Sequence, residues 1–396
     1  MDKAKTSPCK GASPGSTGDD LPDDPTHSAP KLMPKKKVKC LPKGLCSESA
    51  EDECVNSSGA GAHGVEGASH PQDGFATCCE GEEDIDEDFI EIDEDSSYPA
   101  DAWERLKVKV PDLRDMKPDE LIVEGDRKHF LRFVCMSDTH SRVEGSDFVH
   151  RVPHGDVLLH AGDFTMHSSI PELHAFNDFL GQLPHKLKII IPGNHETSLD
   201  QRGHGFDKGH ARREQGLPRG DNSSEISEEL RYLRGILHRG ILLQDSMIEF
   251  CGIKVYGCPW MPVYASDGFG LPRGYQLLQM YNLIPKGVDI LLSHGPPLGI
   301  GDRTKRSHHA GCVELFNSVT RRIKPKYFVC GHIHEGYGIR SDGTTTYINA
   351  AVCNKNYRPV HAPVVFDFPL PAPITVNDFH RMKSKRIKVK TFSPLP

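Results

Sequence analysis

The sequence predicts an α/β domain preceded by a disordered acidic tail. From about residue 100 onward, short runs rich in Val, Ile, Leu and Phe alternate with helical patterns. Several of these runs are apolar throughout, as strands covered on both faces are. Residues 1–100 differ sharply: they hold nine Lys, no Arg and 22 Asp or Glu, and before Tyr98 their only aromatics are Phe75 and Phe89. So little apolar surface cannot offset the entropy of ordering.

The tail contains a basic patch, Lys35-Lys36-Lys37-Val38-Lys39, beside Cys40. It ends in EGEEDIDEDFIEIDEDSS (80–97), with eleven acids in eighteen residues. Both read as solvated segments, and the acidic run is the candidate for docking a protein partner. Acylation of Cys40, Cys78 or Cys79 beside the basic patch is the alternative route to a membrane. The main expectation is a cytoplasmic protein. The start lacks an apolar core of signal-peptide length, and no apolar run reaches the ~18 residues of a membrane span. Six of the 12 cysteines lie in the first 80 residues without a C-x-x-C pair, so a structural zinc site is not expected and the thiols are read as reduced. The sequons at Asn56 and Asn222 then carry no weight. The body after residue 100 carries +6 within a total of −7, an ordinary surface that weakly suits anionic ligands.

Residues 101–396 form the expected domain, with its core at about 130–370. Strands are expected at 131–136, 156–161, 188–192, 253–257, 289–294, 326–331, 345–350 and 363–368. Leu173, Phe176, Leu180 and Leu183 recur at helical spacing, which predicts an amphipathic helix over 171–183. Residues 225–238 read the same way. The polar stretch 200–224 reads as a long loop.

The chemistry lies where the strands end. FVCM runs into Ser137-Asp138-Thr139-His140, and DVLLHA into Gly162-Asp163. KIIIP runs into Gly193-Asn194-His195-Glu196, DILLS into His294-Gly295-Pro296-Pro297, and KYFVC into Gly331-His332-Ile333-His334. Sites in open α/β sheets form outside the carboxyl ends of strands. Asp, His and Asn are ligands for hard or borderline divalent metals. Any one of these motifs is as readily a polar turn as a site. The ordered set of five, each behind an apolar run, points to a metal centre. Gly162, Gly193 and Gly331 each directly precede a ligand, where a residue without Cβ lets the backbone turn off the strand.

This set resembles the calcineurin-like metallophosphoesterase superfamily over about residues 130–370. GCPWMPVY (257–264), NLIPKGVDILLSHGPPLG (282–299), GCVELFNSV (311–319) and HEGYG (334–338) are similar to its MPPED-type (metallophosphoesterase domain-containing) subfamily. The resemblance implies a four-layer sandwich of two mixed β-sheets flanked by helices, with a two-metal site. Carried over by motif, Asp138, His140 and His334 hold the first metal, and Asn194, His294 and His332 the second. Asp163 bridges both, and His195 is the catalytic imidazole. Manganese is the expected metal, with iron, zinc, cobalt or magnesium as alternatives.

The expected function is a binuclear metal-dependent phosphoesterase, most specifically a phosphodiesterase acting on small phosphodiesters such as cyclic nucleotides. Two cations side by side need a shared anionic ligand, and only two of the proposed ligands are carboxylates. The site then keeps net positive charge, which draws a phosphate and lowers the pKa of a bridging water. The alternatives are a non-catalytic nucleotide or phosphate binder, and a phosphoprotein phosphatase or nuclease. A nucleic-acid partner is not expected. One departure bears on the mechanism. Many family members read G-D-x-x-D, their second Asp orienting the histidine, whereas this chain reads Gly162-Asp163-Phe164-Thr165-Met166. Some subfamily relatives carry Gly where this chain has His332, so an intact metal pair is expected here.

The remaining candidates are weaker. His160 is expected in the core or behind a ligand, and His308 and His309 in solvent. His204 and His210 fall in the long loop. Arg142 and Arg303 are candidate phosphate contacts. Trp260 and Tyr264 form either a packed corner or a base-stacking pair. Residues 381–390 suit an edge strand, a nuclear signal or a nucleic-acid contact.

Overall fold

The computed structural model describes residues 90–109, 113–143, 147–200, 223–264, 268–306, 308–383 and 387–393. The apolar runs become strands buried on both faces. Along Phe130–Met136, Val134 and Met136 join one core cluster while Phe133 and Cys135 join the other. A period of two with both faces covered gives the uninterrupted hydrophobicity seen in the sequence.

Two mixed sheets result. One has the order β14 (Val364–Pro369), β2 (Phe130–Met136), β3 (Val157–His160), β4 (Leu187–Ile190), β5 (Ile241–Leu242). In it β2 to β5 run parallel and β14 antiparallel. The other has the order β1 (Arg114–Asp115), β12 (Gly338–Ser341), β13 (Thr346–Asn349), β11 (Tyr327–Cys330), β10 (Ile290–Ser293), β7 (Ile253–Cys258), β6 (Ser246–Phe250), β15 (Lys388–Thr391). Its centre, β13, β11, β10 and β7, is parallel. A two-stranded ribbon, β8 (Met261–Pro262) with β9 (Gly270–Leu271), completes the set. The eight expected strands are all present.

The sheets pack face to face. Tyr327 of β11 stacks on Phe366 of β14 at 3.9 Å, and Phe366 stacks on Phe133 at 5.0 Å. Helices cover the outer faces: α2 (Ile170–Gln182) and α3 (Ser223–Ile236) on the five-stranded sheet, α4 (Tyr275–Tyr281) and α5 (Val313–Asn317) on the other. The α2 start is set by a capping box, in which Ser169 Oγ accepts from Glu172 N and the Glu172 carboxylate accepts from Ser169 N at 3.0 Å. The layered arrangement implied by the family resemblance is the one observed. Replacing fully buried Phe133 by Ala should lower unfolding stability by about 3–5 kcal/mol, read from the urea midpoint; a loss under about 1 kcal/mol would mean that the sheets do not meet there.

The expected boundary at residue 100 needs correction. Ile90 is buried, and the guanidinium of Arg105 pairs with Asp93 and with Asp95 at 2.9 Å. Ser96 donates to the buried carboxylate of Glu314, and a helix, α1 (Pro99–Leu106), follows at once. Composition counted these acids as solvated because their cation is contributed from ten residues further on. The Lys35–Lys39 patch, Cys40, Cys78, Cys79 and the acids before Ile90 lie outside the described residues, as do His204 and His210. The basic end includes an edge strand: Lys388–Thr391 pairs with β6, where lysines discourage further strand pairing. No helix among the described residues is long and apolar enough to cross a membrane.

Candidate metal centre

The parallel strands of each sheet end on the same side, and the five motifs follow them. Asp138, His140, Asp163, Asn194 and His195 leave β2, β3 and β4; His294, His332 and His334 leave β10 and β11. The candidate residues therefore meet where the carboxyl ends of two sheets face each other. Ligand atoms of Asp138, His140 and His334 lie within 4.8 Å of one another, as do those of Asp163, His294 and His332. Asn194 Oδ1 stands 2.9 Å from both His294 Nε2 and His332 Nδ1. Asp163 Oδ2 lies 3.3 Å from His294 Nε2 and 3.8 Å from His140 Nε2, between the two groups. His195, expected beside the site as the catalytic imidazole, is close: it forms a third group with His140 and Asp163 within 4.8 Å.

The residues fit divalent cations. Imidazole and carboxylate donors without a thiolate suit borderline-to-hard ions. Several ring tautomers follow from main-chain contacts, because a carbonyl can only accept. Nδ1–H of His294 donates to Ala161 O at 2.8 Å, and Nδ1–H of His334 to Asn354 O at 3.0 Å. In the neutral ring each Nε2 then keeps its lone pair directed at the cluster, the arrangement that orients metal-binding histidines. The carboxylates are wrapped against bare backbone. A Cβ on Gly331 would lie 2.0 Å from Asp138 Oδ2, and one on Gly193 2.3 Å from Asp163 Oδ1.

The glycine expectation holds at Gly162, whose φ is 98°, and needs revision at the other two: at Gly193 and Gly331 the requirement is close approach. The turning is done largely by the ligands themselves: Asp138, His140, Asp163 and His332 have φ of 54, 44, 55 and 65°. Such backbone costs about 1–3 kcal/mol each and persists where surrounding contacts enforce it. Those contacts run between strand ends: Asp138 N to Gly162 O at 2.9 Å, His140 N to Asp163 O at 3.0 Å, and His332 N to both Asp138 carboxylate oxygens at 3.0 Å.

The electrostatics are those of charges held in a dry cluster. Burial opposes ionisation of Asp138, but His140 and His334 hold its carboxyl well below the usual range. Burial likewise opposes Asp163, and His294 and His195 bring it down. Burial disfavours the His294 cation, yet Asp163 and Asp138 carry its pKa up to about 9. Burial, then the charge on His294, lowers that of His332 to about 3. The pair of carboxylates thus imposes a demand for positive charge at the centre.

Three supporting groups were not assigned from sequence. Glu196 is fully buried, and its carboxylate accepts from Gly193 N at 2.7 Å, Asp163 N at 2.8 Å, Thr165 N at 2.8 Å and Thr165 Oγ1 at 2.7 Å. It ties the β3 loop to the β4 loop. Burial, then Asp163, raises its pKa to about 7. Glu196→Gln should weaken Mn²⁺ binding about 10–100-fold, the usual cost of disturbing a ligand's support; unchanged affinity in a Mn²⁺ titration would exclude that role. Asn349, at the end of β13, directs Nδ2 to Ile333 O at 2.9 Å and Gly301 O at 3.1 Å. It holds the chain just after His332. Glu172, beyond its cap, accepts from Met166 N at 3.0 Å and Ser141 Oγ at 3.1 Å.

A main-chain contact answers the question posed by Met166. Its side chain offers His195 no useful acceptor, but its main-chain carbonyl does: His195 Nδ1–H donates to Met166 O at 2.8 Å. The imidazole is oriented by backbone where many family members use a carboxylate. Among the weaker candidates, His160 is buried and places Nε2 3.2 Å from Thr139 Oγ1, between the two ligands of the first motif. His309 is not simply solvated, because its ring pairs with Asp302 at 2.9 Å and packs 5.0 Å from Trp103. Trp260 is the packed corner, buried with Nε1–H donating to Asp245 at 2.7 Å.

Comparison with known proteins matches the segment that carries these residues. Residues 131–336 match the family model described as calcineurin-like phosphoesterase. Metallophosphoesterase domain-containing protein 1 of Homo sapiens is 44% identical over 293 residues, covering 72% of this chain and 86% of that protein. The Mus musculus protein of the same name gives the same values. A UPF0046 protein of Caenorhabditis elegans is 38% identical over 297 residues, covering 72% of this chain and 98% of its own length.

Proposed function

The chain belongs to the calcineurin-like phosphoesterase family, a family of hydrolases, and from that premise we propose that it is a phosphodiesterase acting on small phosphodiesters, cyclic nucleotides among them. Asp138, His140 and His334 would hold one divalent cation, Asn194, His294 and His332 the other, and Asp163 both, with manganese the preferred metal. When bound, such a pair supplies Lewis acidity to the phosphoryl oxygens and makes water acidic enough to serve as the nucleophile. The observation that carries the reading is the position of Asp163 Oδ2 between the two imidazole groups.

His195 is the residue for the leaving group. Its Nδ1–H is committed to the Met166 carbonyl, so the proton it delivers or withdraws is carried on Nε2. A neutral carbonyl supports a positive charge on the ring less than a carboxylate would. Esters that depend most on full protonation of a poor leaving group then react most slowly, which favours diesters with good or strained leaving groups over alkyl monoesters. The test is hydrolysis of bis-p-nitrophenyl phosphate, 2′,3′-cyclic AMP and an alkyl monoester with Mn²⁺ and after chelation. Metal-dependent turnover of the diesters, with the monoester slower, is expected. Metal-dependent AMP binding without turnover of any ester would replace the enzyme reading with that of a binding protein.

A further inference from the structure

A ring outside all five motifs stands at the edge of this centre. Tyr357 lies nearly perpendicular to three of the imidazoles, with centroids 4.8 Å from His140, 5.6 Å from His334 and 6.4 Å from His195. Its residue is 38% exposed whereas His140 is buried. The ring therefore borders the proposed ligands on one side and solvent on the other, on the flank where His195 would meet a leaving group.

The ring is also fixed. Tyr357 has φ of 54°, a conformation that a bulky residue adopts only under constraint. The constraint is a tight loop. Tyr357 N donates to Asn354 O at 2.8 Å, and Asn354 N to Arg358 O at 2.9 Å. Asn354 Oδ1 accepts from the amides of Asn356 at 2.9 Å and Arg358 at 3.2 Å. The same Asn354 carbonyl accepts Nδ1–H of His334 at 3.0 Å. One carbonyl thus positions both an imidazole of the cluster and the aromatic ring beside it.

We propose that Tyr357 is a specificity-determining residue, the wall on which an aryl or nucleobase group of the substrate packs while its phosphate occupies the metal centre. This rests on the phosphoester reading above. A rigid, half-exposed ring stacks on a second ring at little entropic cost, and every base presents a π face to it. An aliphatic ester group gains less from the same surface, and inorganic phosphate gains nothing.

The test is calorimetric binding of AMP and of inorganic phosphate to the Mn²⁺-loaded 396-residue chain. Tyr357→Gly removes the ring and suits the left-handed backbone; Tyr357→Phe keeps the ring. The Gly variant should bind AMP about tenfold more weakly or worse while phosphate affinity stays within about twofold, and the Phe variant should match the parent protein. Equal losses for AMP and phosphate, or no loss for AMP, would overturn the proposal. If AMP and phosphate bind but no diester is hydrolysed, the enzyme reading fails and this one is still decided by the same comparison. If the parent protein binds neither, both fail.

Discussion

Asp163→Asn is expected to lower diester turnover by about 10³-fold or more, equivalent to ~4 kcal/mol of transition-state stabilisation, with bound metal falling from two ions per chain toward one or none. The substitution is nearly isosteric and keeps an oxygen to accept the His195 amide, now at 2.9 Å. The loss therefore reports the charge and not the loop. In the proposed assignment that charge is the one both cations share, and removing it leaves Asp138, a ligand of the first cation alone, as the remaining carboxylate against their mutual repulsion. Metal analysis beside steady-state kinetics checks it. A variant with both ions and near-normal kcat would mean that the two clusters do not share Asp163.

His195→Ala is expected to lower kcat about 10²–10⁴-fold, the usual worth of a positioned proton donor, with both metals retained. The loss should be smaller for p-nitrophenyl esters than for ribose cyclic phosphates, because nitrophenolate departs without a proton. This prediction discriminates between two readings of one observation. His195 lies within ligand distance of His140 and Asp163, so it is either the proton donor or an additional ligand. Loss of a metal ion in the variant, with equal losses for both ester types, would assign it to the metal.

Both substitutions fall on residues visible in the sequence, and so did most of the fold. The eight strand runs were legible because strands covered on both faces have no polar alternation, and α2 because Leu173, Phe176, Leu180 and Leu183 recur at helical spacing. The five motifs were legible because they stand in order, each behind an apolar run, where any one alone reads as readily as a polar turn. The short elements were not: β1, β5, β8 and β9 have two residues each, too few for any period to register. Nor was the packing of residues 90–98, which depends on Arg105 and Glu314 from elsewhere in the chain.

The supporting groups of the site escaped for a different reason. Met166 was read by its thioether, whereas His195 uses its carbonyl, a group that every residue possesses. The same holds for Ala161 behind His294 and Asn354 behind His334. Tyr357 belongs to no motif and enters the site only because a loop from beyond β13 folds back over His140. Sequence by itself determined the kinds of donor, their order and the class of fold, since those follow from side-chain chemistry and hydrophobic period. The tertiary structure alone decided which ring nitrogens donate to main-chain carbonyls, which carboxylate oxygen lies between the two imidazole groups and which ring borders them, since those depend on backbone groups and distances that no residue type encodes.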